Sequence, residues 1–245
     1  MRKVIIVQAR MTSTRLPGKI LKKVLNKPLL AYQVERLLRV RLADNVIIAT
    51  TENKEDNVIV DFCKELSLPY FRGSEEDVLS RYHGTALEHE ADVVVRVTSD
   101  CPLIDPSVID SVIGFYIDNY PKYDYVSNTL ERTYPRGMDT EVFSFKALEL
   151  AHRLAKTAPE REHVTAYLYR NPEIFGTANV TFHEDQSRHR WTVDTADDFE
   201  LIKRIIEGLY PVNPHFSLED ALSLLENNPD WFHINVHVEQ KLYGQ

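Results

Sequence analysis

VIIVQARMTSTRLPGK, residues 4–19, carries the two signals that decide the fold. It opens on Val4, Ile5, Ile6 and Val7, four β-branched residues in a row, the pattern of a strand buried on both faces of a parallel sheet. A polar loop from Ala9 to Lys19 follows, and a helical pattern begins near Pro28, with Leu29, Leu30, Val34, Leu37 and Leu38 on one side and Glu35, Arg36 and Arg39 on the other. The same alternation then repeats. Residues 45–50 (NVIIAT) predict a second buried strand, and Val58, Phe62 and Leu66 mark the next helix. Pro69, Tyr70 and Phe71 read as a short third strand, after which Ser74 is expected to cap a helix with Asp77 three residues on. Residues 92–98 (DVVVRVT) predict the fourth strand, and Pro106 starts a helix through Ile109 and Ile113. Four strand–helix alternations predict an α/β fold, a Rossmann-like doubly wound sheet.

Beyond Tyr120 the rhythm changes. Residues 124–127 and 138–143 read as strands around a Tyr-Pro-Arg-Gly turn, and residues 178–182 and 190–193 as further short strands. Helices are expected from Phe145 and Pro159. Ala196 opens an amphipathic helix with Phe199, Ile202, Ile205, Ile206 and Leu209 on one face, and a last helix runs from Leu218 to about Asn227. No repeat, low-complexity tract or Gly/Ser linker interrupts the chain. Residues 1–245 are therefore expected to form a single domain, with a small β-rich lobe over about 121–145 and a C-terminal helical segment over about 196–245.

Composition narrows the function. The formal net charge of −8 argues against tight binding to long nucleic acid, which needs a basic face, but leaves room for a small anionic ligand. Cys63 and Cys101 are far apart and form no zinc or redox motif. The apolar run at the N-terminus ends at Val7 with Arg10 close behind, so no secretion signal is expected. Apolar stretches stay well short of the ~18 residues of a membrane span, and a cytoplasmic protein is expected.

The chemistry concentrates at strand ends. In open α/β sheets ligands bind outside the carboxyl ends of the strands, where the loop carrying Arg10, Arg15 and Lys19 among Thr12, Ser13 and Thr14 is expected to lie. Guanidinium forks grip phosphate oxygens in pairs and a lysine adds a point charge, so this loop suits a polyphosphate. With a single glycine, Gly18, it matches neither the dinucleotide fingerprint nor the P-loop. The fourth strand ends TSDCPLID, residues 98–105, and places Asp100 where one carboxylate plus phosphate oxygens and water can hold Mg²⁺. Asp105, before Pro106, fits a helix cap. In RWTVDTADD, residues 190–198, Asp194 ends a short apolar strand and is a second metal candidate, with Arg190 on the same face as a sugar-binding candidate. Thr195 serves as the helix cap, and Asp197 and Asp198 favour the helix dipole. Without a metal, two facing carboxylates repel, so removing either is expected to leave stability unchanged or raised. If residues 138–143 form a strand, Asp139 and Glu141 project from one face toward sugar hydroxyls, and Arg136 on the turn meets an acidic substrate group. Pro159 precedes Glu160-Arg161-Glu162-His163, read as part surface, part pocket wall.

Taken in order, VQARMTSTRLPGK, GSEEDVLSRY, TSDCPLIDP, YPRGMDTEVF, EREHVT and RWTVDTADDF resemble the cytidylyltransferase family of the CMP-Kdo and CMP-sialic acid synthetases, and within it the spore coat polysaccharide type. The resemblance runs from Lys3 to about Leu209. It implies the nucleotide-diphospho-sugar transferase form of the fold, a homodimer in which the β-rich lobe reaches the partner, and CTP with Mg²⁺. By the same resemblance Ala9, Arg10, Ser13, Arg15 and Lys19 bind the nucleotide, Arg72 lies near the base, and Asp100 and Asp194 hold the metal. The expected reaction moves CMP from CTP to a sugar, an acidic one in the nearest parallels, releasing pyrophosphate, with Lys19, Arg10 and Asp100 as the catalytic set. Two alternatives stay open at this point. A GT-A-like glycosyltransferase shares the sheet and a metal-binding aspartate but calls for a D-x-D pair, whereas Asp100 is followed by Cys101 and Pro102. A nucleotide-binding protein without catalysis is the other.

Overall fold

Val4 to Val7 are sealed from solvent, and their strand, β1 (Lys3–Gln8), is an interior strand, third of the seven in the sheet, in the computed structural model, which describes residues 1–240. After it, β2 (Lys23–Val24) and β3 (Lys27–Pro28) form a separate antiparallel ribbon. β4 (Asn45–Thr51) pairs with one side of β1 and carries β5 (Tyr70–Gly73) on its outer edge, while β6 (Val93–Thr98) pairs with the other side, all parallel. Gln8 is level with Ala49 on one neighbour and Thr98 on the other. The chain therefore turns back across β1 between β5 and β6, and the crevice at that reversal is where such sheets receive ligands.

The strands after Tyr120 extend the same sheet. β7 (Tyr125–Ser127), β8 (Glu141–Ser144) and β9 (Thr177–Asn179) complete the order β5-β4-β1-β6-β8-β7-β9. β8 inserts between β6 and β7 and is antiparallel to both, and β9 runs parallel to β7. The segment expected as a lobe thus supplies two strands to the central sheet. β8 starts at Glu141, three residues later than the expected strand, because Asn128 holds Met138 to Thr140 as irregular chain: its side chain donates to Met138 O and accepts from Thr140 N–H. Residues 190–193 form no strand, only one bridge between Arg136 and Arg190.

Helices cover both faces, and the period-two alternation of β1 distributes the core. Ile5 and Val7 face one cluster, packed under α1 (Leu29–Leu37), α2 (Asn57–Glu65) and, on that same face, the helix Pro106–Asp118. Val4 and Ile6 face the other, under α3 (Val78–Glu88) and the helix Phe145–Leu154. Pro106–Asp118 is α4, started by Asp105, whose carboxylate accepts from Ser107 N–H, and Phe145–Leu154 is α5. The helix expected from Ser74 begins four residues later, capped by Asp77 itself, while Ser74 Oγ accepts from Asp77 N–H. Two short helices follow, α6 (Ala158–Glu162) and α7 (Ala166–Arg170). Trp191 and Val193 anchor a third cluster with α8 (Ala196–Leu209) and α9 (Leu218–Glu226). Of the C-terminal segment expected to be helical, residues 241–245 lie outside the described residues. No described helix is long and apolar enough to cross a membrane.

Candidate active site

The loop after β1 folds back on itself at Gly18, whose φ of 66° lies in the left-handed region that glycine adopts without strain. Gly18 N–H donates to Met11 O at 3.0 Å, and a 3-10 turn over Lys19–Leu21 buries Ile20 beneath it. Met11 N–H is in turn fixed by the buried Asp56 carboxylate at 2.7 Å. Lys19 therefore projects from a braced turn at the carboxyl edge of the sheet.

Two distant segments meet it there. Val193 N–H donates to Asp100 O at 2.8 Å, so the end of β6 and the turn before α8 are joined backbone to backbone. Gly137 permits the neighbouring approach: its φ is 104°, and a Cβ there would lie 2.9 Å from the Trp191 carbonyl. Lys19 Nζ donates to Asp100 Oδ2 at 3.0 Å and to Asp194 Oδ1 at 2.8 Å. Thr98 Oγ1 donates to the other Asp100 oxygen at 2.6 Å, and Arg15 and Arg190 reach the other Asp194 oxygen at 2.9 and 2.6 Å. Burial alone would lower the Lys19 ammonium's pKa; Asp100 and Asp194 outweigh it and hold it above its ordinary value. Burial likewise works against the Asp100 carboxylate, but Lys19 and the Thr98 hydroxyl bring it below the usual carboxylate range. An ammonium standing between the two aspartates offsets the repulsion expected of them.

These groups open on a cleft of about 760 Å³. Ala9, Arg10, Ser13, Arg15, Lys19, Asp100 and Asp194 all line it. Arg10 is held by Glu75 at 3.1 Å, and Glu75 also accepts from Thr12 and Asn53. Two carboxylates aimed at one cation make a donor set suited to Mg²⁺, which uses one or two carboxylates and completes its shell with phosphate oxygens and water. The residues therefore fit a divalent cation bound together with a polyphosphate. Among the described residues no cluster of three or more His, Cys, Asp or Glu side chains stands ready to hold a metal unaided.

Other expected residues lie off the cleft wall. Arg72 spends its donors on Thr51 O, Asn53 O and Asn57 Oδ1 at 2.8–2.9 Å, tying down the loop after β4. Asp139 precedes β8 and is gripped by Arg132 through two bonds of 2.6 and 2.8 Å, so it does not share a strand face with Glu141. Glu141 is buried: its oxygens accept from Arg96, from Tyr125 OH at 2.6 Å and from Thr165 Oγ1 at 2.6 Å. Both carboxylates, expected to meet sugar hydroxyls, are bonded within the fold, and neither is part of the cleft lining. Arg190 is buried between Asp194 and Asp198 and acts on the aspartate, not on the cleft. Arg136 is half-buried at the turn, its backbone bridged to Arg190, and is not part of the cleft lining.

The tasks of Asp198 and Val164 were hidden in the sequence, whereas the Glu160–His163 segment was expected to give part of a pocket wall. Asp198, readable there only as a helix-start acid, is fully buried and accepts from Arg190, Asn235 and the backbone N–H groups of Asp194 and Thr195. The capping pattern Thr195-x-x-Asp198 marks the helix start but does not show this second task. Arg161 crosses to Asp77 at 2.7 Å and lines the cleft together with His163. Val164, which follows His163, is fully buried with φ 52°, a left-handed conformation costly for a β-branched residue. Burial, with Arg96 nearby, lowers the His163 pKa below its ordinary value.

The family described as Cytidylyltransferase matches residues 4–231. An uncharacterised protein of Methanocaldococcus jannaschii is 38% identical over 98% of this chain and 97% of its own. Spore coat polysaccharide biosynthesis protein SpsF of Bacillus subtilis is 33% identical over 92% of this chain and 94% of its own. The 3-deoxy-manno-octulosonate cytidylyltransferase of Chlamydia trachomatis serovar A is 30% identical, over 69% and 71% respectively. Among solved structures, a cytidylyltransferase from Leptospira borgpetersenii superposes with a TM-score of 0.91 at 33% identity and covers 99% of both chains. On a family match across nearly the whole sequence and a fold shared end to end, the chain belongs to the cytidylyltransferase family.

Proposed function

We propose that the protein transfers CMP from CTP to a hydroxyl of a sugar, an acidic sugar in this reading, and releases pyrophosphate for polysaccharide synthesis in the cytoplasm. The observation that carries the proposal is the convergence of Lys19, Asp100 and Asp194 at the open end of β1 and β6, with Arg10 and Arg15 on the same wall. The oxygen of a sugar hydroxyl attacks the α-phosphorus and loses its proton to solvent, the bond from the α-phosphorus to the α–β bridging oxygen breaks, and its electron pair leaves with pyrophosphate. Such transfers rely on positioning and charge neutralisation more than on covalent help from the protein. Arg10, Arg15 and Lys19 take up the charge of the departing pyrophosphate. Asp100 and Asp194 hold a divalent cation, magnesium in this proposal, which when bound polarises the phosphate and eases deprotonation of the attacking hydroxyl. Asp198 and Arg190 keep Asp194 oriented.

The sugar is assigned to the part of the cleft lined by Arg161 and His163. The strained Val164 turn supports this, because such conformations persist where the surrounding structure enforces a functional geometry. The functional unit is proposed to be a homodimer, which light scattering of the purified protein tests directly. Incubating the protein with each of the four nucleoside triphosphates and a panel of acidic and neutral sugars, while following pyrophosphate, tests the reaction. Sugar-dependent pyrophosphate release with CTP is expected. Release with another nucleotide instead, or consumption of a nucleotide sugar without pyrophosphate, would overturn it.

A further inference from the structure

Every cation of the phosphate loop already has an acid. Arg10 is paired with Glu75 at 3.1 Å, Arg15 with Asp194 at 2.9 Å, and Lys19 with both Asp100 and Asp194. The free protein therefore offers a polyphosphate no cation on this loop without an acid beside it, and it offers a metal no pair of carboxylates without a cation between them. The two needs are met by the same bonds. Lys19 is the member best able to leave: its charge sits at the end of a flexible four-carbon stem, whereas Arg190 is fixed on Asp194 from behind by Asp198. Asp100 and Asp194, by contrast, are locked in position by the Val193–Asp100 backbone bond and the Asp198 hub.

We propose that Lys19 is the built-in counter-ion of the Asp100–Asp194 pair and that it must yield those carboxylates before a divalent cation is held there. The lysine is then free to reach a phosphate, so that one side chain couples entry of metal to entry of nucleotide. Metal alone binds the free protein weakly, because it competes with an ammonium already in place. This inference rests on the assignment of Asp100 and Asp194 as the cation's holders in the proposed reaction, but its test needs neither CTP nor sugar.

The test is titration of the nucleotide-free protein with Mn²⁺, followed by calorimetry and by the electron paramagnetic resonance signal of free Mn²⁺. Lys19→Met, which keeps the length of the stem and removes the charge, is expected to bind Mn²⁺ about tenfold or more tightly than the wild type, a typical size for coupling between two ligands. Lys19→Arg, which keeps a cation in place, is expected to stay close to the wild type. Circular dichroism of both variants establishes that they are folded, and the gain must vanish in Lys19→Met combined with Asp100→Asn. Unchanged or weaker Mn²⁺ binding in folded Lys19→Met, or equal gains in Lys19→Met and Lys19→Arg, would overturn the proposal. Failure of the transferase reading instead appears as absence of pyrophosphate release in the wild type and leaves this metal titration unaffected.

Discussion

The carboxyl edge of the sheet and its middle each hold a buried ion-pair cluster, and the two are built for opposite purposes. In the middle, Arg96 and Glu141 face each other across neighbouring strands, and Tyr125 and Thr165 complete the shell of the glutamate. At the edge, Lys19 bridges Asp100 and Asp194 from a loop. Asp100 keeps 20% of its side chain exposed against 9% for Glu141. The Glu141 cluster draws on three strands and the α6–α7 turn, so no partner is able to move without disturbing the core. The edge cluster needs only one lysine side chain to swing for its carboxylates to become available. A buried ion pair contributes little net stability but is costly to break by halves. The same chemistry therefore serves as a rivet in one place and as an exchangeable contact in the other.

The largest effect should come from the edge. Asp100→Asn and Asp194→Asn are each expected to reduce kcat/KM for pyrophosphate release by about a thousandfold, and the double variant to lose scarcely more, because both act through one site. Losses that multiply in the double variant would show that the aspartates work separately. Since Lys19 already neutralises the pair, neither variant should gain stability, which a thermal melt measured in EDTA can check.

Glu141→Gln should do the reverse. It leaves Arg96 buried with its charge uncompensated, at a cost of about 3 kcal/mol in urea unfolding, while the CTP affinity of the remaining folded protein stays near wild type by calorimetry. A CTP defect without a stability defect would move Glu141 from rivet to ligand contact and break the comparison.

The smallest effect concerns the segment that leads to Asp194. Burial against Trp191 and Phe232, with Arg188 alongside, pushes the His189 pKa down to about 4 from an ordinary 6.5. The folded protein thus keeps this imidazole neutral where the unfolded chain binds a proton. Its contribution to stability is complete above pH 6.5 and is lost progressively down to about pH 4, by roughly 2 kcal/mol. Replacing it in His189→Phe should flatten the stability profile over that window, as read from urea midpoints at successive pH values.

How far the chain could be read without its structure depended on whether the signal was local. Val4 to Val7 declare a buried strand by composition alone, and Asp105 before Pro106 declares a helix start, because both are set by neighbours in sequence. That Lys19, Asp100 and Asp194 lie at one edge was legible from where each sits relative to an apolar run. The ammonium standing between the two acids was not, since side-chain pairing across the fold leaves no periodic trace. The insertion of β8 between β6 and β7 was equally hidden, and with it the fate of Glu141: strand order is decided by tertiary packing. An alternating Asp139–Glu141 pattern looks identical whether its acids face solvent or, as here, a guanidinium on each side. His163 could be placed near a pocket from its segment, but only the backbone of Val164 shows that its position is enforced.

The hydrogen bond from Val193 to Asp100 has a consequence for biosynthesis. Chains emerge from the ribosome N-terminus first, and β1, β4 and β6 can pair before the last third of the protein exists. Asp100 and Lys19 are then already present, but their other partner is not. The reactive corner is completed only when the turn before α8 arrives and clamps onto the end of β6. A chain stalled or cleaved ahead of Asp194 carries the loop from Ala9 to Lys19 without the second carboxylate that the proposed site requires.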